Sequence, residues 1–272
     1  MFTGNDIVQT QIGDLTYLRF KMFQAFPDIS HAMFTRKGGK SASPFDSLNV
    51  GENVGDDPKA VVENRKTVLA VTGGKTLVSL RQVHGTDVLK VVHDKGLEDI
   101  APEADALITN RPDIDLLIKV ADCQPVFLYD YKNHVIANVH SGWRGSVNNV
   151  LGKTVQEMKT AFCCDPKTIL AGIGPSLGPC CSEFVNFREE IPEHLWSYRD
   201  ESDHFDFWKM SRDQLIDEGL TDSQISVAGL CTRCLPDLFY SYRGEQITGR
   251  LACVIGLREK GNILSGEMND EH

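Results

Sequence analysis

The sequence predicts an α/β fold of α+β type, with mixed sheets in layers around a central β-hairpin. Three observations lead there. Apolar runs at residues 126–129 and 135–139 flank Asp130-Tyr131-Lys132-Asn133, a polar segment of turn formers, and together these read as a hairpin. Other β-like runs and helical periods follow in mixed order, without a regular strand-helix-strand repeat. No linker rich in Gly, Ser or Pro, no low-complexity block and no internal repeat interrupts the 272 residues, so residues 1–272 are expected to form a single domain.

In chain order, Thr35-Arg36-Lys37-Gly38-Gly39-Lys40-Ser41 reads as an exposed basic turn, although Arg36 has the fork geometry to grip an oxyanion. Asp57 caps a helix that opens on Pro58 and stops at Gly73-Gly74. Residues 76–82 and 87–92 read as strands joined by Val83-His84-Gly85-Thr86, which puts His84 at a loop tip. Residues 104–109 and 116–120 read as strands. After the hairpin, Val147, Val150, Leu151, Val155, Met158 and Phe162 keep a helical period. One amphipathic helix is therefore expected, with Arg144 at its N-terminal mouth, where unpaired N–H groups favour an anion. Residues 168–173, 225–228 and 251–257 read as strands, and residues 239–243 as a further candidate strand. Residues 188–196 and 210–218 read as helices, the second closed by Gly219. The glycines between Gly172 and Gly178 have the wrong spacing for a dinucleotide site.

A net charge of −10 and a pI near 5.3 argue against a protein that binds nucleic acid through charge. The residues from Met1 to Asp6 lack the basic start and apolar core of a signal peptide, and no apolar run approaches membrane-spanning length. The expected compartment is the cytoplasm. There the eight cysteines are thiols, metal ligands or catalytic groups rather than a disulfide framework.

Cys123 and His140 lie at equal distances from the middle of the hairpin tip, so a symmetric pairing sets them face to face where the hairpin opens. With His84 they make a candidate zinc set of two imidazoles and one thiolate. Three protein ligands leave a fourth position for water or substrate. The three are far apart in sequence and buried free cysteine is common, so the pattern alone leaves a structural reading open. His31, His93, His134, His194, His204 and His272 read as bystanders. Cys231-Thr232-Arg233-Cys234, with Cys180 and Cys181, amounts to half a zinc-site motif and reads as mainly structural or incidental.

Several motifs in order resemble a known family: Arg81-Gln82-Val83-His84-Gly85, Ala104-Asp105-Ala106-Leu107-Ile108-Thr109, Ala121-Asp122-Cys123-Gln124-Pro125-Val126, Val139-His140-Ser141-Gly142-Trp143-Arg144-Gly145 and Gly172-Ile173-Gly174-Pro175. Ser47-Leu48-Asn49 and Thr248-Gly249-Arg250 fit as well. It is the laccase-domain family, long labelled polyphenol oxidase and regarded as purine nucleoside phosphorylases with adenosine deaminase activity. The resemblance covers about residues 30–257. It implies a layered α/β/β/α sandwich, zinc held by His84, Cys123 and His140, and a purine nucleoside and inorganic phosphate as substrates. Within that reading Arg36 and Arg144 are the candidates for holding phosphate, and Asn49 and Gln82 for ribose or base. Asp122 serves as an acid only if a turn reorients it. No nucleic acid or membrane partner is expected, and a monomer is the starting expectation.

Two rival chemistries remain. A copper polyphenol oxidase needs many histidines in H-x-H pairs, and none of the eight histidines are two apart. A cysteine hydrolase would use Cys123 as nucleophile and His140 as base. The H-x-E and P-C-x-x-C signature of cytidine-deaminase-type zinc enzymes is absent.

Overall fold

The computed structural model describes residues 6–92 and 102–259, so His93 and His272 lie outside the described residues. Its strands are β1 (Ile7–Ile12), β2 (Leu15–Phe20), β3 (Ile29–Phe34), β4 (Thr76–Ser79), β5 (Val88–Lys90), β6 (Ala106–Thr109), β7 (Ile114–Val120), β8 (Gln124–Asp130), β9 (Val135–Ser141), β10 (Ile169–Ile173), β11 (Ile225–Val227) and β12 (Leu251–Leu257). Its helices are α1 (Pro58–Thr72), α2 (Trp143–Val147), α3 (Val150–Phe162), α4 (Phe187–Glu190), α5 (Phe207–Asp217) and α6 (Tyr242–Glu245). One six-stranded sheet runs β1-β2-β3-β12-β7-β4 and the other β11-β10-β8-β9-β6-β5. Both are mixed, with β4 parallel to β7 in the first, and β5 parallel to β6 and β10 to β11 in the second.

Strand alternation explains the layers. Leu116 and Ile118 of β7 face Phe127 and Tyr129 of β8 in a core between the sheets, together with Phe20, Ile136 and Ile255. Leu117 points the other way, onto Val68 of α1. Val126 and Leu128 turn outward to Leu151, Val155 and Met158 of α3 and Leu215 of α5. The order is thus α/β/β/α, as expected. Strands β7, β8 and β9 are covered on both faces, which is why they read as nearly continuous apolar runs.

The helix from Pro58 is present as read. Asp57 accepts a hydrogen bond from the Lys59 N–H at 3.0 Å, and Gly73 closes the helix at φ 80°.

Four readings need correction. The hairpin tip is a four-residue turn, Tyr131 to His134, because Asp130 accepts from the N–H groups of Lys132 and Asn133 at 2.9 and 3.2 Å. Asp130 therefore pairs with Val135, and His140 faces Pro125 instead of Cys123. The single amphipathic helix is two. Asn149 sits in the left-handed region at φ 56° and caps α3 by accepting from Gly152 N–H at 2.9 Å, so Arg144 lies in the short α2 and not at the mouth of the long helix. Pro192 separates α4 from a 3₁₀ turn, Glu193–Tyr198, where one helix was expected. Residues 239–243 are not a strand. Tyr240 is buried with its hydroxyl on the Phe45 carbonyl, and Ser241 caps α6.

Candidate metal centre

His84 occupies the loop between β4 and β5 at φ 60°, a left-handed conformation that a non-glycine residue holds only when something fixes it. Asp105 supplies the fixing. Its carboxylate, fully buried just before β6, accepts from the N–H groups of Val83, His84 and Gly85 at 3.3, 3.0 and 2.6 Å. The same carboxylate lies 2.8 Å from Nδ1 of His140, near the end of β9. Holding a proton on Nδ1 leaves Nε2 of His140 free for a cation, the usual carboxylate–histidine–metal arrangement.

Cys123 arrives on a bend between β7 and β8, where Asp122 has φ 84°. It stands one step past the last hairpin pair, across from Gly142. A Cβ on Gly142 would lie 2.5 Å from His84 Nδ1 and 3.2 Å from Cys123 Sγ, so glycine there leaves the room in which the two meet. Ligating atoms of His84, Cys123 and His140 all lie within 4.8 Å of one another. The His84 and His140 rings stand edge to face, with centroids 4.9 Å apart.

The electrostatics suit a cation. Burial works against ionising the Cys123 thiol, yet the charge on His140 and hydrogen bonds from both imidazoles bring its pKa down to about 6. Burial likewise disfavours protonated His140, but the Cys123 sulfur and the Asp105 carboxylate raise it to about 9. Asp105 is held below the usual carboxylate range, because its hydrogen bonds to His140 and the loop N–H groups outweigh its burial. The proton that Cys123 and His140 share is the one a divalent cation would displace, leaving one sulfur and one nitrogen donor to bind it. His140 is buried while His84 is exposed, so the set opens to solvent on the His84 side. Three donors with an open side fit zinc of the catalytic kind.

The other nominated residues divide. Arg144 is exposed, its guanidinium lies 4.2 Å over the Trp143 ring, and it has no carboxylate partner among the described residues. Arg36 is not in an exposed turn. It pairs with Glu245 at 2.7 Å, donates to the carbonyls of Asp46 and Pro236, and lies over the Tyr240 ring. It lines a concavity of about 710 Å³ whose wall contains none of the three metal-site residues. Asn49 is fully buried, bonded to Gly51, Asp56 and the Arg250 N–H. Gln82 spends its amide on both backbone groups of Lys119, at 2.8 and 2.9 Å. The polar groups of Arg36, Asn49 and Gln82 are therefore already engaged within the protein. Asp122 does sit in a turn, but its two oxygens accept from Thr232 Oγ1 and the Arg243 N–H, both at 2.6 Å. It is no free acid.

Two residues escaped the reading of the sequence. Asp105 is one; an aspartate set between alanines at the head of an apolar strand was the available signal. Arg250 is the other. It is only partly exposed, its guanidinium bonds among the described residues to the carbonyls of Thr248 and Gly249, and it lies close enough to feel the charges of Cys123 and Asp122. Its place in the Thr248-Gly249-Arg250 motif was the available signal, but only the fold brings the start of β12 beside the bend at Cys123.

Among the described residues no helix is long and apolar enough to cross a membrane. The family model described as multi-copper polyphenol oxidoreductase laccase matches residues 30–258. Purine nucleoside phosphorylase YlmD of Geobacillus stearothermophilus is 34% identical over 244 residues, covering 83% of this chain and 89% of that protein. Purine nucleoside phosphorylase YfiH of Escherichia coli K12 is 35% identical over 231 residues, covering 82% and 91%. The crystal structure of YlmD from Geobacillus stearothermophilus superposes with a TM-score of 0.84 at 31% identity, over 93% of this chain and 100% of that one.

Proposed function

The chain belongs to the multi-copper polyphenol oxidoreductase laccase family, and from that membership we propose that it is a zinc-dependent purine nucleoside phosphorylase with adenosine deaminase activity. The observation that carries the chemistry is the His84–Cys123–His140 set, with its thiolate-favouring surroundings and open side. The names of its YlmD and YfiH relatives supply the substrate class. The copper in the family's description finds little support in the donors. A multicopper oxidase needs several histidine-rich centres, and among the described residues the one other cluster of metal donors is made of cysteines.

Zinc at the three donors would act as a Lewis acid on a water or substrate oxygen in the open position. The rest falls to the chain itself. In phosphorolysis the glycosidic C–N bond breaks, a phosphate oxygen bonds to the anomeric carbon, and the departing purine takes up a proton. Phosphate has to be held against a carbon that becomes cationic, and Arg144 and Arg250 are candidates for this, guanidinium groups near the site that have no carboxylate partner among the described residues. Asn49 acts at one remove, by fixing the Arg250 backbone. Gln82 anchors the approach to the His84 loop on β7. In deamination water supplies the oxygen that bonds to the purine C6, and the C6–N bond breaks to release ammonia. A cysteine-hydrolase reading uses the same thiolate–imidazole pair, but the second imidazole beside the sulfur favours ligation.

Purified protein incubated with adenosine and phosphate should release adenine and a pentose phosphate, with inosine and ammonia from the second reaction. A chelator should stop both, and added zinc should restore them. Cys123→Ala should lose zinc from this set and reduce turnover to background. Full turnover by that variant would refute the assignment.

A further inference from the structure

Four of the eight cysteines gather away from the candidate centre. Cys180 and Cys181 lie in the loop after β10, and Cys231 and Cys234 in the loop after β11. The two strands are parallel neighbours, so their C-terminal loops leave the sheet side by side. The loops stay paired: Ser176 bridges to Cys231, its N–H donates to the Leu230 carbonyl at 3.1 Å, and its carbonyl accepts from Thr232 at 3.0 Å. All four sulfurs lie within 4.8 Å of one another, with Cys234 at 3.6 Å from Cys180 and 3.5 Å from Cys181.

Those spacings select among the things four sulfurs can do. Bonds of about 2.3 Å to a tetrahedral zinc put sulfurs roughly 3.8 Å apart, whereas a disulfide draws two of them to about 2.05 Å. The distances match a shared ion. The Gly178 N–H points at Cys231 Sγ from 3.3 Å, a donor that favours thiolate.

We propose that Cys180, Cys181, Cys231 and Cys234 bind a structural zinc ion in a closed four-sulfur site, distinct from the His84–Cys123–His140 set. The two sites share no ligand, and one residue ties them together. Thr232, inside the Cys231–Cys234 span, donates to the Asp122 carboxylate, and the Leu177 N–H donates to the Asp122 carbonyl at 2.8 Å. Zinc clamping the two loops would thereby hold the bend that presents Cys123.

The test uses the full chain, purified with reductant, and measures zinc by mass spectrometry. Two closed accounts are expected: about two zinc ions per chain in the parent protein and about one in Cys123→Ala. Cys180→Ser in the Cys123→Ala background should lose that last ion. Cys180 is exposed, so its replacement should leave the far-ultraviolet circular dichroism intact. Cobalt loaded into Cys123→Ala should give the strong visible absorption of a tetrahedral four-thiolate ion, weakened by Cys180→Ser. If the parent protein holds one ion that survives Cys123→Ala and is lost with Cys180→Ser, this site stands and the candidate centre falls. Cys123→Ala without zinc, zinc unaffected by Cys180→Ser, iron in place of zinc, or fewer than eight titratable thiols in parent protein purified separately without reductant and then denatured and chelated would each overturn the proposal.

Discussion

Asp105 accepts three backbone N–H groups from the His84 loop and holds the Nδ1 edge of His140, so a single buried carboxylate positions two of the three candidate ligands. It need not touch the metal to matter. Carboxylates behind a ligating histidine commonly set metal affinity within about 10- to 100-fold. Asp105→Asn keeps the shape and removes the charge. It should weaken zinc binding by roughly that factor, read by chelator competition, with the fold intact by circular dichroism. Unchanged affinity would show that packing alone orients the ring. At the same scale, the difference between Arg36 and Arg250 turns on partners. Both are arginines near a loop, but Arg36 is neutralised by Glu245 while Arg250 has only carbonyl partners among the described residues.

The elements that carry the site are two bends and the end of a hairpin. Asp130 tightens the tip into a four-residue turn, and the register then sets Gly142, not His140, across from Cys123. Gly142 has φ −73°, which any residue tolerates, so the demand for glycine comes from the space its neighbours occupy. Gly142→Ala should push the His84 ring out of the set. The expected outcome is loss of zinc from this site with little change in melting temperature. Retention of full zinc occupancy would mean that the His84 loop yields without cost. The break between α2 and α3 has a similar local cause in Asn149, which adopts a left-handed backbone and caps the start of α3.

Across the whole molecule, two sheets press their inner faces together and helices cover the outer ones. The inner core also contains an imidazole. His31 is about 5% exposed, packs against Phe20, Phe23 and Phe127, and accepts from the Phe20 N–H at 2.8 Å. Burial, helped by the charge of Arg19, lowers its pKa from 6.5 to about 3. A pKa depressed in the folded state means that the unfolded chain binds the proton more tightly. The neutral ring thus contributes full stability above pH 6.5, and that contribution fades as the pH falls toward 3. The slope approaches about 1.4 kcal/mol per pH unit below 6.5. Urea unfolding between pH 7 and pH 4 should show His31→Gln with a flatter pH dependence than the parent protein. Equal slopes would mean that the ring is already charged in the core.

The sequence by itself determined the elements whose causes are local: the helix from Asp57 to Gly73, the apolar strands and the existence of the hairpin. Motif order made the layered sandwich and the three candidate ligands legible, because chemically constrained residues keep their neighbours. Only the tertiary structure decided the hairpin register, the roles of Asp105 and Arg250, the engagement of Arg36, Asn49 and Gln82, and the gathering of four cysteines from two loops. The physical reason is common to all of these. Each depends on which groups from distant parts of the chain compete for the same hydrogen bond, charge or volume, and periodicity and propensity carry no record of that competition.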